Sequence, residues 1–218
     1  MISIVIPACN EEKYILETLE SIKLQSFKDY EIIVVCDGCT DNTYSISKKH
    51  ADNVINIKQR SGPSTAKNNG AKAARGDKIV FLDADTIMSS NVLKSIEIIL
   101  NKKNTVGSCM IKPSDNKVKH RIMMFLKNNF LCPFGVSNGI IFCNKKEFFK
   151  SGGFNGSLKK GEDGDFVRRI KKECSFAMLD DYVISSTRRF DKIGYIRTGI
   201  YWIKEFLMPG DENYEIIR

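Results

Sequence analysis

Histidine is scarce in this sequence: His50 and His120 are the only two in 218 residues. That number argues against a multi-histidine zinc site and against Ser–His–Asp chemistry. Both also fall in predicted helices among polar neighbours. No GxGxxG follows a strand and no GxxxxGK[ST] occurs, so dinucleotide and P-loop readings lose their main support. No apolar run approaches the roughly 18 residues that a membrane span requires. The opening MISIVIPACN has neither the charged start nor the apolar length of a signal peptide. The seven cysteines form no framework, and Cys9, Cys109, Cys132, Cys143 and Cys174 sit where cysteine serves as a small hydrophobe. That usage predicts a reducing, cytoplasmic setting. Repeats, low-complexity tracts and long basic arms are likewise missing.

What is present suits one α/β domain, since 42% hydrophobic and 28% charged residues are ordinary for a folded chain with a sizeable core. The net charge of +8 favours anionic partners such as nucleic acid, phosphorylated ligands or a lipid surface. A general richness in lysine reads equally well.

The first half alternates apolar strands with helical patterns. ISIVI, EIIVV, NVINI and KIVFL read as strands. Between them EEKYILETLESIKLQ, TDNTYSISKKHA (Thr40 or Asp41 as N-cap) and PSTAKNNGAKAARG (opened by Pro63, closed at Gly76) read as helices. Such alternation implies right-handed crossovers and a parallel sheet, with ligands gathering beyond the carboxyl ends of its strands. The second half is less regular. A helix near Lys117 to Phe130 precedes a glycine-punctuated loop, strand and short helix. GEDGDFVRRIKKE then starts a helix on acidic residues, and a basic, aromatic tail runs from Arg188 to Met208.

The polar residues at three strand ends carry the candidate chemistry. KIVFL leads into DADT, where alternation points Asp83 and Asp85 the same way. Two carboxylates held together are costly without a cation, and Mg²⁺ or Mn²⁺ with phosphate oxygens is a natural occupant. An exposed acidic turn is the bland alternative. Asp37 ends the second strand, where a carboxylate can accept from a nucleobase ring N–H or cap the next helix. Cys36 and Cys39 flank it at a redox-like spacing that can also supply half a zinc site. Asn10 and Glu11 follow the first strand and could equally be helix-start residues. Glu162 and Asp163 either begin their helix or accept a proton from an acceptor hydroxyl.

Taken together, PACNE, CDGCTDNT, AKNNGAKAARGDKIVFLDADT, GGFN and GEDGDFVRRI resemble the family 2 glycosyltransferases over residues 1–190. The resemblance implies the GT-A fold: a Rossmann-like, mostly parallel sheet flanked by helices, with a smaller acceptor-side region. It divides one compact domain into a donor-binding half, 1–112, and an acceptor-side half, 113–218, with a helical tail. It implies transfer from a nucleoside diphosphate sugar, with inversion, to a glycan or lipid-linked acceptor. By it Pro7, Ala8, Asn10 and Glu11 line the nucleotide cleft, and Asp37 holds the base. Lys67 replaces the usual arginine, and Arg169 follows the acidic pair on its helix. Arg188 and Arg189 close over the diphosphate. Asp83 faces the ribose and metal, Asp85 ligates Mn²⁺ or Mg²⁺, and Asp163 is the general base beside Glu162.

The chain departs from the family pattern at Cys36, where many members have a second acidic residue, at Cys39, where serine is usual, and at Lys67. Membrane helices found in many lipid-using relatives do not follow the core. The tail GYIRTGIYWIKEFLM, with Ile196, Ile200, Ile203 and Leu207 at helical spacing, either packs on the core or lies on the inner membrane face. Nucleic acid is not an expected partner. Two alternatives remain. A sugar-phosphate nucleotidyltransferase lacks its glycine-rich, basic N-terminal loop here, and an inactive nucleotide-sugar binding protein does not need the DADT and GED motifs.

Overall fold

The computed structural model describes residues 1–102, 104–132, 139–158 and 161–207, with the side chains of residues 189, 191, 193, 201 and 204–207 outside that description. In chain order the first half contains β1 (Ile2–Ala8), α1 (Ile15–Lys23), β2 (Tyr30–Asp37), α2 (Thr43–His50), β3 (Asn53–Ile57), α3 (Pro63–Ala73), β4 (Lys78–Leu82), β5 (Thr86–Met88), α4 (Val92–Lys102) and β6 (Thr105–Pro113). There follow α5 (Val118–Leu126) with a π-helical continuation (Lys127–Leu131), β7 (Ile140–Asn144), α6 (Lys145–Lys150), α7 (Glu162–Ile170), β8 (Ser175–Ser185), α8 (Arg188–Ile193) and α9 (Tyr195–Leu207).

One eight-stranded sheet runs in the order β3-β2-β1-β4-β7-β6-β8-β5. As expected, β1 to β4 are parallel: β1 pairs β2 from Ile2↔Tyr30 to Ala8↔Cys36, and β4 from Ile2↔Lys78 to Val5↔Phe81. This register brings Ala8, Asp37 and Leu82 to one edge of the sheet. Beyond β4 the sheet is mixed, because β7 runs antiparallel to both β4 and β6. Strands from residues 1–112 and 113–218 therefore interleave in a single sheet. A bulge in β8 between the partners of Cys109 and Met110 leaves Asp180 and Asp181 unpaired with β6.

Alternate residues of each central strand face opposite layers. Ile4, Ile6, Val34, Val80 and Leu82 pack under α1, α4, α5, α8 and α9. Val5, Ile33, Val35, Ile79 and Phe81 pack under α3, α6 and α7. Burial of each such aliphatic side chain contributes about 1.5–3 kcal/mol, which explains the nearly continuous apolar strands. On the second face Phe81, Phe148, Phe154 and Phe166 form an aromatic cluster, with Phe154 and Phe166 centroids 4.6 Å apart.

One sequence expectation shifts. α3 ends at Ala73 rather than Gly76. Gly76 is instead where the chain crosses the start of β1, and a Cβ there would meet the Met1 carbonyl oxygen at 2.6 Å. α9 is amphipathic: Thr198 and Trp202 are buried, while Ile196, Ile200 and Ile203 face solvent. No helix among the described residues is long and apolar enough to cross a membrane.

α3 lies close against β1 and β2 because Gly70 has no side chain. A methyl group at Gly70 would come 2.3 Å from Val5 Cγ1 and 3.2 Å from Val35 Cγ2. Gly70→Ala is expected to destabilise the fold by about 1–3 kcal/mol through overpacking, despite alanine's better helix propensity. Urea unfolding measures this, and a variant as stable as the parent would show that α3 can move away.

Candidate active site

Four chain segments meet at the edge marked by Ala8, Asp37 and Leu82. The turn after β4 buries Ala84, whose carbonyl accepts from Thr18 Oγ1 at 2.9 Å, and so turns Asp83 and Asp85 outward together. α3 brings Lys67, which is 3% exposed. α7 begins after Gly161, whose φ of 69° lies in the left-handed region, and projects Glu162 and Asp163 from its first turn. α8 adds Arg188.

Lys67 Nζ donates to Asp163 Oδ1 at 2.5 Å and to Glu162 Oε1 at 3.0 Å, and sits 4.9 Å from the centre of the Phe154 ring. Burial works against its charge, but Asp163, Glu162 and Asp83 more than offset it and raise its pKa. Burial also raises Glu162, with Lys67 opposing and Asp163 reinforcing the shift. Burial, the largest influence, pushes Asp83 up to about 6; Asp163 and Asp85 add to this, and Lys67 and Lys127 oppose it. Negative charge is thus in excess on this side of the cleft.

Across it, the Arg188 guanidinium grips Glu11 in a two-pronged pair, Nη1 to Oε2 at 2.9 Å and Nη2 to Oε1 at 3.0 Å. Nη2 also lies 3.0 Å from Asp85 Oδ2, and the guanidinium stacks 4.8 Å from the Tyr14 ring centre. Burial disfavours this charge, yet Glu11 and Asp85 hold its pKa above the ordinary arginine value. Arg189 falls outside the described side chains.

The remaining expected residues divide into two groups. Asp37 Oδ1 accepts from the Ser61 amide and hydroxyl at 2.7 and 2.8 Å, and Oδ2 from the Gly62 amide at 2.8 Å. It therefore ties down the loop entering α3 instead of capping α2. Oδ2, with one donor, retains a lone pair for another. α2 starts later than expected, at Thr43, whose amide donates to Asp41 Oδ1 at 3.0 Å. Asn10 adopts φ 57°, which asparagine tolerates better than most residues. Its Oδ1 accepts from the Thr40 amide at 2.8 Å. Pro7 and Ala8 end β1 beside this junction, where Cys39 Sγ donates to the Ala8 carbonyl at 3.4 Å. A hydrogen bond from Cys36 lowers the Cys39 thiol to about 7 and raises Cys36, which is fully buried. The two are thiols, not a disulfide.

Arg169 does not join the charged cluster. Its guanidinium donates to Asp165 Oδ2 at 2.9 Å, the Ser151 carbonyl at 2.6 Å and the Gly153 carbonyl at 2.7 Å. It braces the loop that sets Phe154 beneath Lys67, and Asn68 holds the same loop from α3 by accepting the Phe154 amide at 3.0 Å. The sequence reading missed Lys127, whose buried charge acts on Asp83 and which lies 4.9 Å from the Trp202 ring. Its signal was a lysine interrupting the apolar run MMFLKNNFL.

A family model for glycosyl transferase family 2 matches residues 3–162. The chain belongs to that family. This glycosyltransferase is 32% identical, over 98% of its length and 78% of the relative's, to the GalNAc(5)-diNAcBac-PP-undecaprenol beta-1,3-glucosyltransferase of Campylobacter jejuni. It covers only 34% and 36% of the length of two other curated relatives. Its fold is shared with Staphylococcus aureus TarS in complex with UDP-GlcNAc (TM-score 0.71, 20% identity, 97% of this chain and 68% of that one). It is shared too with the mannosyltransferase PcManGT of Pyrobaculum calidifontis in complex with GDP-Man and Mn²⁺ (TM-score 0.76, 19% identity, 94% and 61%). The GT-A expectation is met, and the binding-protein and nucleotidyltransferase alternatives give way to a glycosyltransferase.

Among the described residues no three Asp, Glu, His or Cys side chains converge to hold a metal ion. The Asp83–Asp85 pair nonetheless suits a hard cation that takes its other ligands from phosphate. It offers oxygen donors only, from two carboxylates two residues apart on one turn.

The sign of the Asp83 shift is testable. Because the folded value exceeds the ordinary 3.8, stability from this group is full below 3.8 and is lost as pH rises through about 6. In chelator, Asp83→Asn is expected to raise the thermal unfolding midpoint at neutral pH. The gain should shrink as pH falls below about 6. A variant less stable than the parent at every pH would contradict this account of the cluster.

Proposed function

We propose that this glycosyltransferase moves a sugar from a nucleoside diphosphate donor to an acceptor hydroxyl by a single displacement with inversion. The observation that carries the proposal is Asp163, a carboxylate held by Lys67 opposite the Asp83–Asp85 turn. In this reading residues 1–112 hold the donor and 113–218 present the acceptor. Pro7, Ala8, Asn10 and Glu11 border the nucleotide, and Asp37 Oδ2 accepts from a base N–H.

Asp163 is the general base. Lys67 fixes its Oδ1, leaving the other oxygen to take the acceptor proton as the hydroxyl attacks. Lys67 also sets a positive charge between Asp163 and the neighbouring Glu162. A single displacement forms no covalent enzyme intermediate and so requires no nucleophilic cysteine. The departing diphosphate gains negative charge, and Arg188 can exchange Glu11 and Asp85 for its oxygens. Mn²⁺ or Mg²⁺, bound through Asp85 and Asp83, would supply further neutralisation of that leaving group. Arg169 acts at one remove, through the loop bearing Phe154.

The C. jejuni relative is named for a polyprenyl-linked substrate, and TarS for a poly(ribitol-phosphate) one, which supports a glycan or lipid-linked acceptor here. A cytoplasmic enzyme working at the inner membrane face, within cell-envelope glycan synthesis, follows from that chemistry.

Asp163→Asn is expected to lose transfer by two or more orders of magnitude, roughly the contribution of a general base, while donor binding persists. Asp85→Ala should instead lose the metal-dependent part of donor binding. Near-parental turnover by Asp163→Asn would remove the base assignment. A thermal-shift screen of UDP, GDP, dTDP and CDP, each with and without Mn²⁺, is expected to single out one base through a metal-enhanced rise in midpoint. Equal shifts for all four would count against a base-specific role for Asp37.

A further inference from the structure

Of the thirteen large apolar side chains exposed among the described residues, eight lie on α5 with its π-helical continuation and on α9. They are not scattered. Val118, Ile122 and Phe125 stand at i, i+4 and i+7 on α5, as Ile196, Ile200 and Ile203 do on α9, and such spacing puts each trio on one helix face. Each of the six is at least 49% exposed. The inward faces of the same helices bind each other. His120 Nε2 lies 3.1 Å from the Tyr195 hydroxyl, Lys127 Nζ lies 4.9 Å from the Trp202 ring, and Gly199 allows Met123 close approach. The two outward stripes therefore belong to neighbouring helices locked in one unit.

Among the described side chains, the exposed charges on these helices are basic. Lys117, Lys119 and Arg121 are exposed on or beside α5, and Arg197 and Lys192 on or beside α9. No acidic residue occurs from Asn116 to Cys132. Asp115, just before α5, is engaged by His120 Nδ1 at 2.6 Å and Thr187 Oγ1 at 3.2 Å.

We propose that the paired outer faces of α5 and α9 seat this enzyme on an anionic lipid bilayer, with the apolar stripes in the interface and the basic side chains at the headgroups. Apolar faces flanked by Lys and Arg bind such surfaces through apolar burial plus attraction to anionic lipid. A second copy of the chain is a poorer occupant. A two-fold interface sets the same patch against itself, so the basic rims would meet. The unit also reaches the site, since Lys127 acts on Asp83 and Thr187, bonded to Asp115, precedes Arg188. The use of this surface, delivery of a lipid-linked acceptor, rests on the transferase reading; the binding rests on the two helices alone.

Co-sedimentation with vesicles of phosphatidylglycerol and phosphatidylcholine, against phosphatidylcholine alone, tests it. The parent protein is expected to bind only the anionic vesicles and to release with salt. Ile122→Ser/Phe125→Ser/Ile200→Ser should weaken binding about tenfold or more. Arg121→Glu/Arg197→Glu should weaken it while leaving the apolar stripes intact. All are surface changes, so unfolding midpoints and nucleotide-induced thermal shifts, read on the same samples, should match the parent. That control separates failure of the surface from failure of the transferase reading. No binding of the parent to anionic vesicles at low salt overturns the proposal, as does binding that the serine variant retains in full. A parent dimer that the serine variant dissolves, without vesicle binding, assigns the face to a second copy instead.

Discussion

A single ammonium group, Lys67 Nζ, joins the parts of this enzyme that the chain keeps far apart. It lies on α3, packed over the parallel strands, yet its partners Glu162 and Asp163 stand almost a hundred residues later at the start of α7. Removing one member of such a buried set leaves charge without compensation, a loss of about 3–5 kcal/mol in typical proteins. The rest of the neighbourhood is arranged to hold this contact. Gly70 lets α3 approach the sheet, Asn68 and Arg169 both brace the Ser151–Phe154 loop, and the Phe154 ring covers the lysine. Lysine in place of the family's arginine sacrifices planar, two-pronged recognition. In return it provides a compact charge that fits between two adjacent carboxylates.

The opposite wall is organised by Arg188 in a comparable way. Its guanidinium satisfies Glu11 and Asp85 together and stacks on Tyr14. The cleft thus holds two acidic groups, one gathered around Lys67 and one around Arg188. In the proposed reaction a donor diphosphate would bring its negative charge to the Arg188 side, where the guanidinium can change partners. On that proposal the proton acceptor and the leaving-group site lie on different sides of this division.

Local patterns made much of the fold legible. β4 was readable residue for residue as KIVFL, since a continuous apolar run of that length fits an element covered on both faces. The antiparallel insertion of β7 between β4 and β6 was not, because IIFCN carries nothing that specifies its direction or its neighbours. Within the site, the DADT turn and the acidic start of α7 were legible because both follow strong boundary signals. Arg169 misled, since its place after the acidic pair matched the family pattern while its guanidinium turns to backbone carbonyls. Lys127 was passed over because a lysine within a helical stretch ordinarily faces water.

The sequence alone determined which residues form the central strands, which polar residues follow them, and hence where a ligand edge lies. Alternation and capping are local, and a strand end fixes the position of the next side chain without reference to the rest of the chain. Only the tertiary structure decided which charges meet. The pairing of Lys67 with Glu162 and Asp163, the bridge from Arg188 to Glu11 and Asp85, and the outward turn of the isoleucines on α9 all depend on packing between distant segments. The same i, i+4, i+7 stripe is written for a helix that faces the core and for one that faces away, and only its neighbours distinguish the two.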